Sequence, residues 1–251
     1  MLAALLELAP AGFEQVDGEG WIEFALYGAA GELPEFPRGT AEVAGVRVSV
    51  SGTEVADDWA ERWREFHRPV LVADRAWVRP PWSEPRPGTL DLVIDPARAF
   101  GTGAHPTTRL SLELLLELAP RGAFTDIGCG SGVLAIAAAR LGFEPVFALD
   151  NDPAALEATL ANARRNDVEL ARTERLDLRS DPLPPAPTVT ANLIRSLILA
   201  LARRMPESPE TLIVSGLLEG EEDEAAAAFE QMRERRRLRL QGWSALLLTR
   251  T

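Results

Sequence analysis

Residues 124–142 read FTDIGCGSGVLAIAAARLG, and no other stretch constrains the fold as tightly. A short apolar run ends at Asp126-Ile127, glycines follow at Gly128, Gly130 and Gly132, and an alanine-rich helix opens at Gly132. Glycines so spaced leave a turn almost free of side chains. A ligand can then approach the main chain and meet the N–H groups of the helix N-terminus. A second apolar run begins at Pro145 and ends in Asp150. An acid at the end of the next strand is where a nucleotide-binding α/β fold holds a pair of ribose hydroxyls. The turn is Gly-x-Gly-x-Gly, not the dinucleotide pattern Gly-x-Gly-x-x-Gly, and Asp126 precedes it. A pyrophosphate is disfavoured beside that acid, whereas a cationic or amine-bearing ligand tolerates it.

The remainder of the chain supplies alternating strands and helices. Leu2–Leu8 reads as a helix closed by Pro10 and Gly12, Trp21–Tyr27 alternates as a half-buried strand, and Val46, Val48 and Val50 alternate likewise. Together they predict a small α+β module over residues 1–53. Trp59, Trp63 and Phe66 share one face of a short helix that Pro69 stops, which predicts a linker helix over 54–69. A proline-rich stretch precedes a strand over Leu90–Ile94. The loop carrying Gly101 and Gly103 suits a lid over a ligand, and Thr107 or Thr108 can cap the helix of Leu110, Leu114, Leu115 and Leu118. His105 in that loop reads as a hydrogen-bonding residue rather than a catalytic base.

Beyond Asp150, Asp152 caps and Pro153 opens a helix whose expected apolar face is Leu156, Leu160 and Ala163. Strands are predicted within Leu170–Leu178, at Thr188–Asn192 and at Thr211–Val214, with Leu197, Ile198 and Leu201 on an intervening helix. Glu219–Arg235 is predicted as one helix, acids first and arginines last, so that the Arg233–Arg239 cluster becomes a solvated helix end. Leu238–Leu240 and Ala245–Leu248 read as a closing hairpin. The pattern is that of an α/β, doubly wound sheet with an antiparallel edge.

Charge and composition bound the function. The net charge is −12, and residues 1–58 hold eleven acids against two arginines. An acidic segment repels nucleic acid and attracts a basic protein partner. Cys129 is the lone cysteine and the histidines are His67 and His105, too few of the usual ligands for a zinc site, so no metal is expected. Leu2–Leu8 is interrupted by Glu7 and lacks a basic leader, so the expectation is a cytoplasmic protein without membrane contact, and a monomer. The chain contains no lysine.

With its preceding acid, Asp-x-Gly-x-Gly-x-Gly resembles the first motif of the S-adenosylmethionine-dependent methyltransferases, which have a seven-stranded sheet. A narrower resemblance rests on DDWAERWREFHRP, AFGTGAHPTT, DIGCGSGVLAIAAARLG, ALDNDP and ANLI. Over residues 57–192 these are similar to the ribosomal protein L11 methyltransferase family, and the AFGTG-x-HPTT loop is the most specific of them. The resemblance implies a substrate-recognition domain (1–53), a linker helix (54–69) and a catalytic domain (70–251). It also implies methylation of lysine side chains or the N-terminal amine of a basic ribosomal protein, with S-adenosylmethionine as cofactor. Carried onto matching positions, the family's cofactor contacts fall on Thr107, Gly128, Asp150 and Asn192, to which the glycine turn adds Gly130. Gly128 would let the methionine part lie against the backbone, and Asp150 would accept the ribose hydroxyls. Thr107 would offer a hydroxyl from the lid, while Asn192 would face the sulfonium and accept from the incoming amine. No general base is expected, because the sulfonium is already a good leaving group and the amine can lose its proton to water.

The chain departs from the family at Ala104, where threonine is commoner. Asn192-Leu193-Ile194 also departs from the Asn-Pro-Pro-aromatic signature of other amine and amide methylators. The N-terminal module is expected to lack an initial strand. Two other readings stay open: a protein-lysine methyltransferase with a non-ribosomal substrate, and a module that binds the cofactor without transferring methyl.

Overall fold

The computed structural model describes residues 14–18, 21–25, 39–43, 45–50, 67–96, 103–205 and 207–251. The helix expected at Leu2–Leu8, the aromatic stretch Trp59–Phe66 and the loop residues 97–102 lie outside the described residues. The chain divides into two compact units, residues 1–60 and 61–251.

In the first unit, β1 (Glu14–Gly18) pairs antiparallel with β2 (Trp21–Ala25), and β3 (Gly39–Val43) pairs antiparallel with β4 (Val46–Val50). Both alternating runs seen in the sequence are strands.

The second unit opens with a three-stranded sheet of β5 (Val70–Val72), β6 (Ala76–Arg79) and β7 (Leu90–Val93). Strand β6 is antiparallel to β5 and parallel to β7. The first two strands were not expected, being three and four residues long and too brief to show a period. Arg79 reaches across from β6 to β7 and grips Asp91 with two bonds of 2.7 and 2.8 Å.

Helix α1 (Pro106–Leu115) then leads into β8 (Phe124–Ile127), α2 (Val133–Leu141), β9 (Val146–Asp150), α3 (Pro153–Arg165) and β10 (Arg172–Arg175). The second half follows as β11 (Thr188–Asn192), α4 (Arg195–Arg204), β12 (Thr211–Leu218), α5 (Glu222–Ala228), β13 (Met232–Leu240) and β14 (Trp243–Arg250). The seven strands lie in the order β10-β9-β8-β11-β12-β14-β13. Strand β14 alone runs against its neighbours.

This sheet has two buried faces, and strand periodicity sorts residues between them. Along β12, Ile213 joins one core while Leu212 and Val214 join the other; along β14, Ala245 and Leu247 oppose Leu246 and Leu248. The first core holds Leu112, Leu114 and Leu115 of α1 and Ala135–Ala138 of α2; the second holds Ile198 and Leu201 of α4 and Ala225 of α5.

The C-terminal region corrects one expectation and bears out another. Glu219–Arg235 is not one helix: α5 stops at Ala228 and residues 232–240 form an edge strand. Arginine favours helix modestly, and strand pairing overrides that preference here. Gln241 and Gly242 both take positive φ, 51° and 80°, the two-residue turn that folds β13 back on β14. The expected closing hairpin is present and forms the antiparallel edge, with β14 inside and β13 outermost. Strand β14 buries Ser244–Leu248 and needs neighbours on both sides. Strand β13 carries five arginines, and charged side chains on an edge discourage pairing with another chain. Its arginines are engaged along the strand: Arg236 with Glu113 and Glu117, Arg237 with Asp223 and Glu234, Arg239 with Glu222.

Candidate functional site

Strand order reverses between β8 and β11, since β9 and β10 build outward on one side and β12 on the other. A crevice opens at the carboxyl ends of strands at such a point, and ligands of open α/β sheets bind there. In this chain those ends are Ile127-Gly128 and Asn192.

The glycine turn leaves β8 with Gly128 at φ 76° and enters α2 through Gly132 at φ 81°, left-handed values that ordinary residues adopt at a cost. Close packing adds to that demand. A Cβ on Gly128 would collide with the Leu193 side chain, and one on Gly132 would lie 2.8 Å from Thr159 Cγ2. The turn is tied to β9, because the Gly128 and Cys129 amides both donate to the Leu149 carbonyl, at 2.7 and 3.0 Å.

Asp150 ends β9 beside this turn. Its carboxylate accepts from the Gly130 amide and from the Asp152 amide, each at 3.0 Å. A carboxylate offers about four lone-pair sites, so two acceptor positions remain after these bonds. A pocket of about 180 Å³ is lined by Gly128, Asp150 and Asp177 together with apolar walls from Ile127, Leu176 and Leu193. Residues Asp177 and Leu193 in that lining were not singled out from the sequence. Both follow strand ends, the place to look once the strand order is known.

Thr107, Asn192 and Gly130 do not line that pocket. Helix α1 is capped by His105, whose Nδ1 accepts from the Thr107 amide at 3.3 Å, and neither expected threonine is the cap. The Thr107 hydroxyl is 2.8 Å from the same nitrogen, and the residue is 1% exposed. Its carbonyl accepts from Ser111 and Ser215, so Thr107 joins α1 to β12. Thr108 instead reaches the strand end, accepting from Asn192 Nδ2 at a long 3.5 Å. His105 packs edge-on against Trp243 at 5.0 Å, and burial holds its pKa below the ordinary histidine value.

Asp126 differs from its expected role beside a cationic ligand. It is 1% exposed, accepting from the Thr190 hydroxyl at 2.8 Å and the Ala135 amide at 3.2 Å. Burial raises its pKa to about 7 against the pull of those two donors, with the Asp150 charge adding to the rise. Asp126 therefore fastens α2 and β11 to β8 from inside the fold.

The expected apolar face of α3 holds at Leu156 and Ala163 but not at Leu160. Leu160 is 40% exposed, while Thr159, Asn162 and Asn166 are buried. At spacings of three and four they share one face of the helix. Thr159 Oγ1 donates to the Gly130 carbonyl at 3.0 Å and Asn162 Nδ2 to the Ser131 carbonyl at 2.9 Å. A leucine-based reading of the face overlooks polar residues whose partners are backbone groups of the turn.

Residues 35–251 match the model of the family described as Ribosomal protein L11 methyltransferase (PrmA). The chain belongs to the ribosomal protein L11 methyltransferase family. Family members of that name include one from Marinobacter nauticus, 40% identical over 178 residues, covering 69% of this chain and 60% of the relative. Another, from Azotobacter vinelandii, is 42% identical over 180 residues, covering 69% and 61%. The chain thus spans about 60% of the length of the curated relatives it matches. Among solved structures, a ribosomal protein L11 methylase from Lactobacillus delbrueckii subsp. bulgaricus superposes with a TM-score of 0.67 at 24% identity, covering 74% of this chain and all of that one. A Pyrococcus abyssi tRNA (uracil-54, C5)-methyltransferase in complex with S-adenosyl-L-homocysteine gives 0.52 at 20% identity, covering 63% and 41%. These two likenesses concern the fold. The family match extends beyond residues 57–192, where the sequence motifs lie.

Proposed function

We propose that the protein transfers methyl groups from S-adenosylmethionine to amino groups of ribosomal protein L11. The observation that carries the reading is Asp150 at the mouth of the glycine turn, fixed by two amides and retaining acceptor capacity for two hydroxyls. The pocket suits a nucleoside in kind: one carboxylate for a ribose, apolar walls for a flat base, and a side-chain-free turn for the remainder. At about 180 Å³ it accommodates a portion of such a ligand, since whole ligand pockets run to roughly 300–1,000 Å³. When bound, S-adenosylmethionine supplies a methyl group on a sulfonium, an excellent leaving group.

The chain's own contribution is alignment. Asn192 ends β11 on the far side of the crevice from Asp150's strand, and its Nδ2 is engaged with Thr108. Oδ1 is then the atom left to accept a hydrogen bond from an incoming neutral amine and hold its lone pair in line. A lysine ammonium has a reference pKa near 10.4 and must shed a proton first. Water serves, and no side chain is assigned as base. Gly128 and Gly130 provide close backbone approach. Thr107, through its carbonyl and hydroxyl, positions the helix that carries Thr108.

Residues 1–53 are proposed to recognise the protein substrate, residues 54–69 to link the two domains, and residues 70–251 to perform the transfer. Support comes from charge: residues 1–58 carry eleven acids and two arginines, and ribosomal proteins are generally basic. Such charge speeds encounter and orients the partner more than it deepens final affinity. A cytoplasmic location follows from that substrate; among the described residues no helix is long and apolar enough to cross a membrane.

The test is transfer of labelled methyl from S-adenosylmethionine to purified L11, with modified residues mapped by mass spectrometry. Label on lysine or N-terminal amines supports the proposal. Label on another protein of a ribosomal fraction, with L11 unmodified, overturns the substrate; cofactor binding without any transfer overturns the activity. Transfer at limiting substrate should also fall as salt rises, because exposed charges are screened over about 8–10 Å at physiological ionic strength.

A further inference from the structure

The carboxamide of Asn162 touches two segments far apart in sequence. Nδ2 donates to the Ser131 carbonyl in the glycine turn at 2.9 Å, and Oδ1 accepts from the Asp95 amide just beyond β7 at 3.0 Å. One turn of helix later, Asn166 bonds both polar groups of Val93, accepting from its amide at 2.8 Å and donating to its carbonyl at 2.7 Å. Val93 and Asp95 are two residues apart, so their outward backbone groups face the same way. The two asparagines therefore pair the free edge of β7 as another strand would. Asn162 differs in spending its donor half on the turn.

Around it two consecutive carbonyls of the turn are held from behind by helix α3. Thr159 takes Gly130 and Asn162 takes Ser131. The amides of the same turn are left to other partners, Gly130 to Asp150 and Val133 to Ser131 Oγ. Fixing carbonyls on one side orients the peptide planes, and thus directs the N–H groups to the other.

We propose that Asn162 is a positioning residue for the cofactor turn, setting the peptide orientation of Gly130–Gly132 against the exit of β7. The geometry stands by itself; the ligand it serves rests on the functional reading above. Asn162 touches no substrate, and it acts through the turn. The residue is 1% exposed, and an orphaned buried partner weakens a local structure more than a lost surface bond does.

The experiment compares Asn162→Ala, Asn162→Asp and Asn166→Ala in the full chain. Amide hydrogen exchange at Gly132 and Val133 is read without ligand, and S-adenosylmethionine affinity by calorimetry. Loss of the Ser131 bond should speed exchange and raise Kd by about tenfold, the scale of one buried hydrogen bond. Asn162→Asp keeps the acceptor for Asp95 but faces Ser131 with a second acceptor, so it should behave like the alanine variant at the turn. Asn166→Ala loses its bonds to β7 and one to the Asn162 carbonyl, none of them to the turn, and should leave both readouts within about twofold. Unchanged exchange in both Asn162 variants, or equal disturbance in Asn166→Ala, overturns the inference. If the wild type binds no S-adenosylmethionine, the functional reading fails, and the exchange data still decide the role of Asn162.

Discussion

Asp126, on the strand that opens the parallel half of the sheet, and Glu222, at the start of α5 in the hairpin half, are each 1% exposed. Burial pushes both carboxyls up, but the outcomes diverge. Asp126 has two neutral donors and rises to about 7. Glu222 is also disfavoured by burial, yet it accepts from its own amide, Ser244, Arg239 and the Gly220 amide, and falls to about 2. The difference follows from how many donors surround each buried carboxylate. It also separates the halves. The hairpin side is fastened by a satisfied charge, while the side beside the glycine turn retains an acid poised near neutrality.

The largest loss of stability in that comparison comes from removing the satisfied member. Glu222→Ala leaves Gly220's amide and the buried Ser244 hydroxyl without an acceptor and should cost about 3 kcal/mol at pH 7. Its folded pKa lies below the ordinary value of 4.5, so its stabilisation is complete above that pH and lost as pH falls towards 2. The gap between wild type and variant in urea titrations should narrow over that window. A constant gap would mean that Glu222 acts through packing alone.

Asp150 sharpens the comparison from the ligand side, being a carboxylate with two amide donors and unused acceptor sites. Asp150→Ala should weaken S-adenosylmethionine binding by about 1.5–3 kcal/mol, the range for hydrogen bonds to a charged group. Calorimetry on a folded variant checks it. An unchanged Kd would place the ribose elsewhere.

How much of this was readable beforehand follows the same division. The glycine turn, Asp150 and the Asp152-Pro153 helix start are local devices whose chemistry is written in adjacent residues, and they are where the sequence placed them. The doubly wound class followed from alternation of elements, whereas the order of strands within the sheet came only with the structure. What pairing decides was not visible: β13 looks like an arginine-rich helix end until β14 demands a neighbour. Partners distant in sequence were equally hidden. Asp126 was assigned to a ligand because its donors Thr190 and Ala135 come from other elements. Asn162 and Asn166 were passed over because their partners lie near residue 94 and in the glycine turn.

Asp126→Asn tests the unsatisfied member. The unfolded reference is 3.8 and the folded value about 7, so between them the folded protein binds more protons than the unfolded chain. Stability therefore falls as pH rises through that window and is lowest above it. An asparagine can accept from the Ala135 amide and donate to a rotated Thr190 hydroxyl. The variant should gain up to about 4 kcal/mol over wild type at pH 8 and little at pH 4, since the rise from 3.8 to about 7 is about three pKa units of about 1.4 kcal/mol each. Denaturant titrations at the two pH values would show a uniform difference if Asp126 were ionised throughout.

The smallest effect isolates the cation in the Glu222 cluster. Arg239 Nε lies 2.7 Å from Glu222 Oε1, but its side chain is 52% exposed and the carboxylate 2%. Water already solvates much of the guanidinium, so its attraction is screened. An exposed partner of this kind contributes about 0.2–1 kcal/mol. Arg239→Gln should accordingly cost less than about 1 kcal/mol, and salt should weaken wild type and variant by amounts that differ only slightly. Ser244 and the Gly220 amide remain as donors, so Glu222 should still titrate below its ordinary value in the variant. Carboxyl chemical shifts followed through the acid range would measure this. If Glu222 instead rises towards 7, as Asp126 does, the cation accounts for the contrast between the two halves; if it stays low, donor number does.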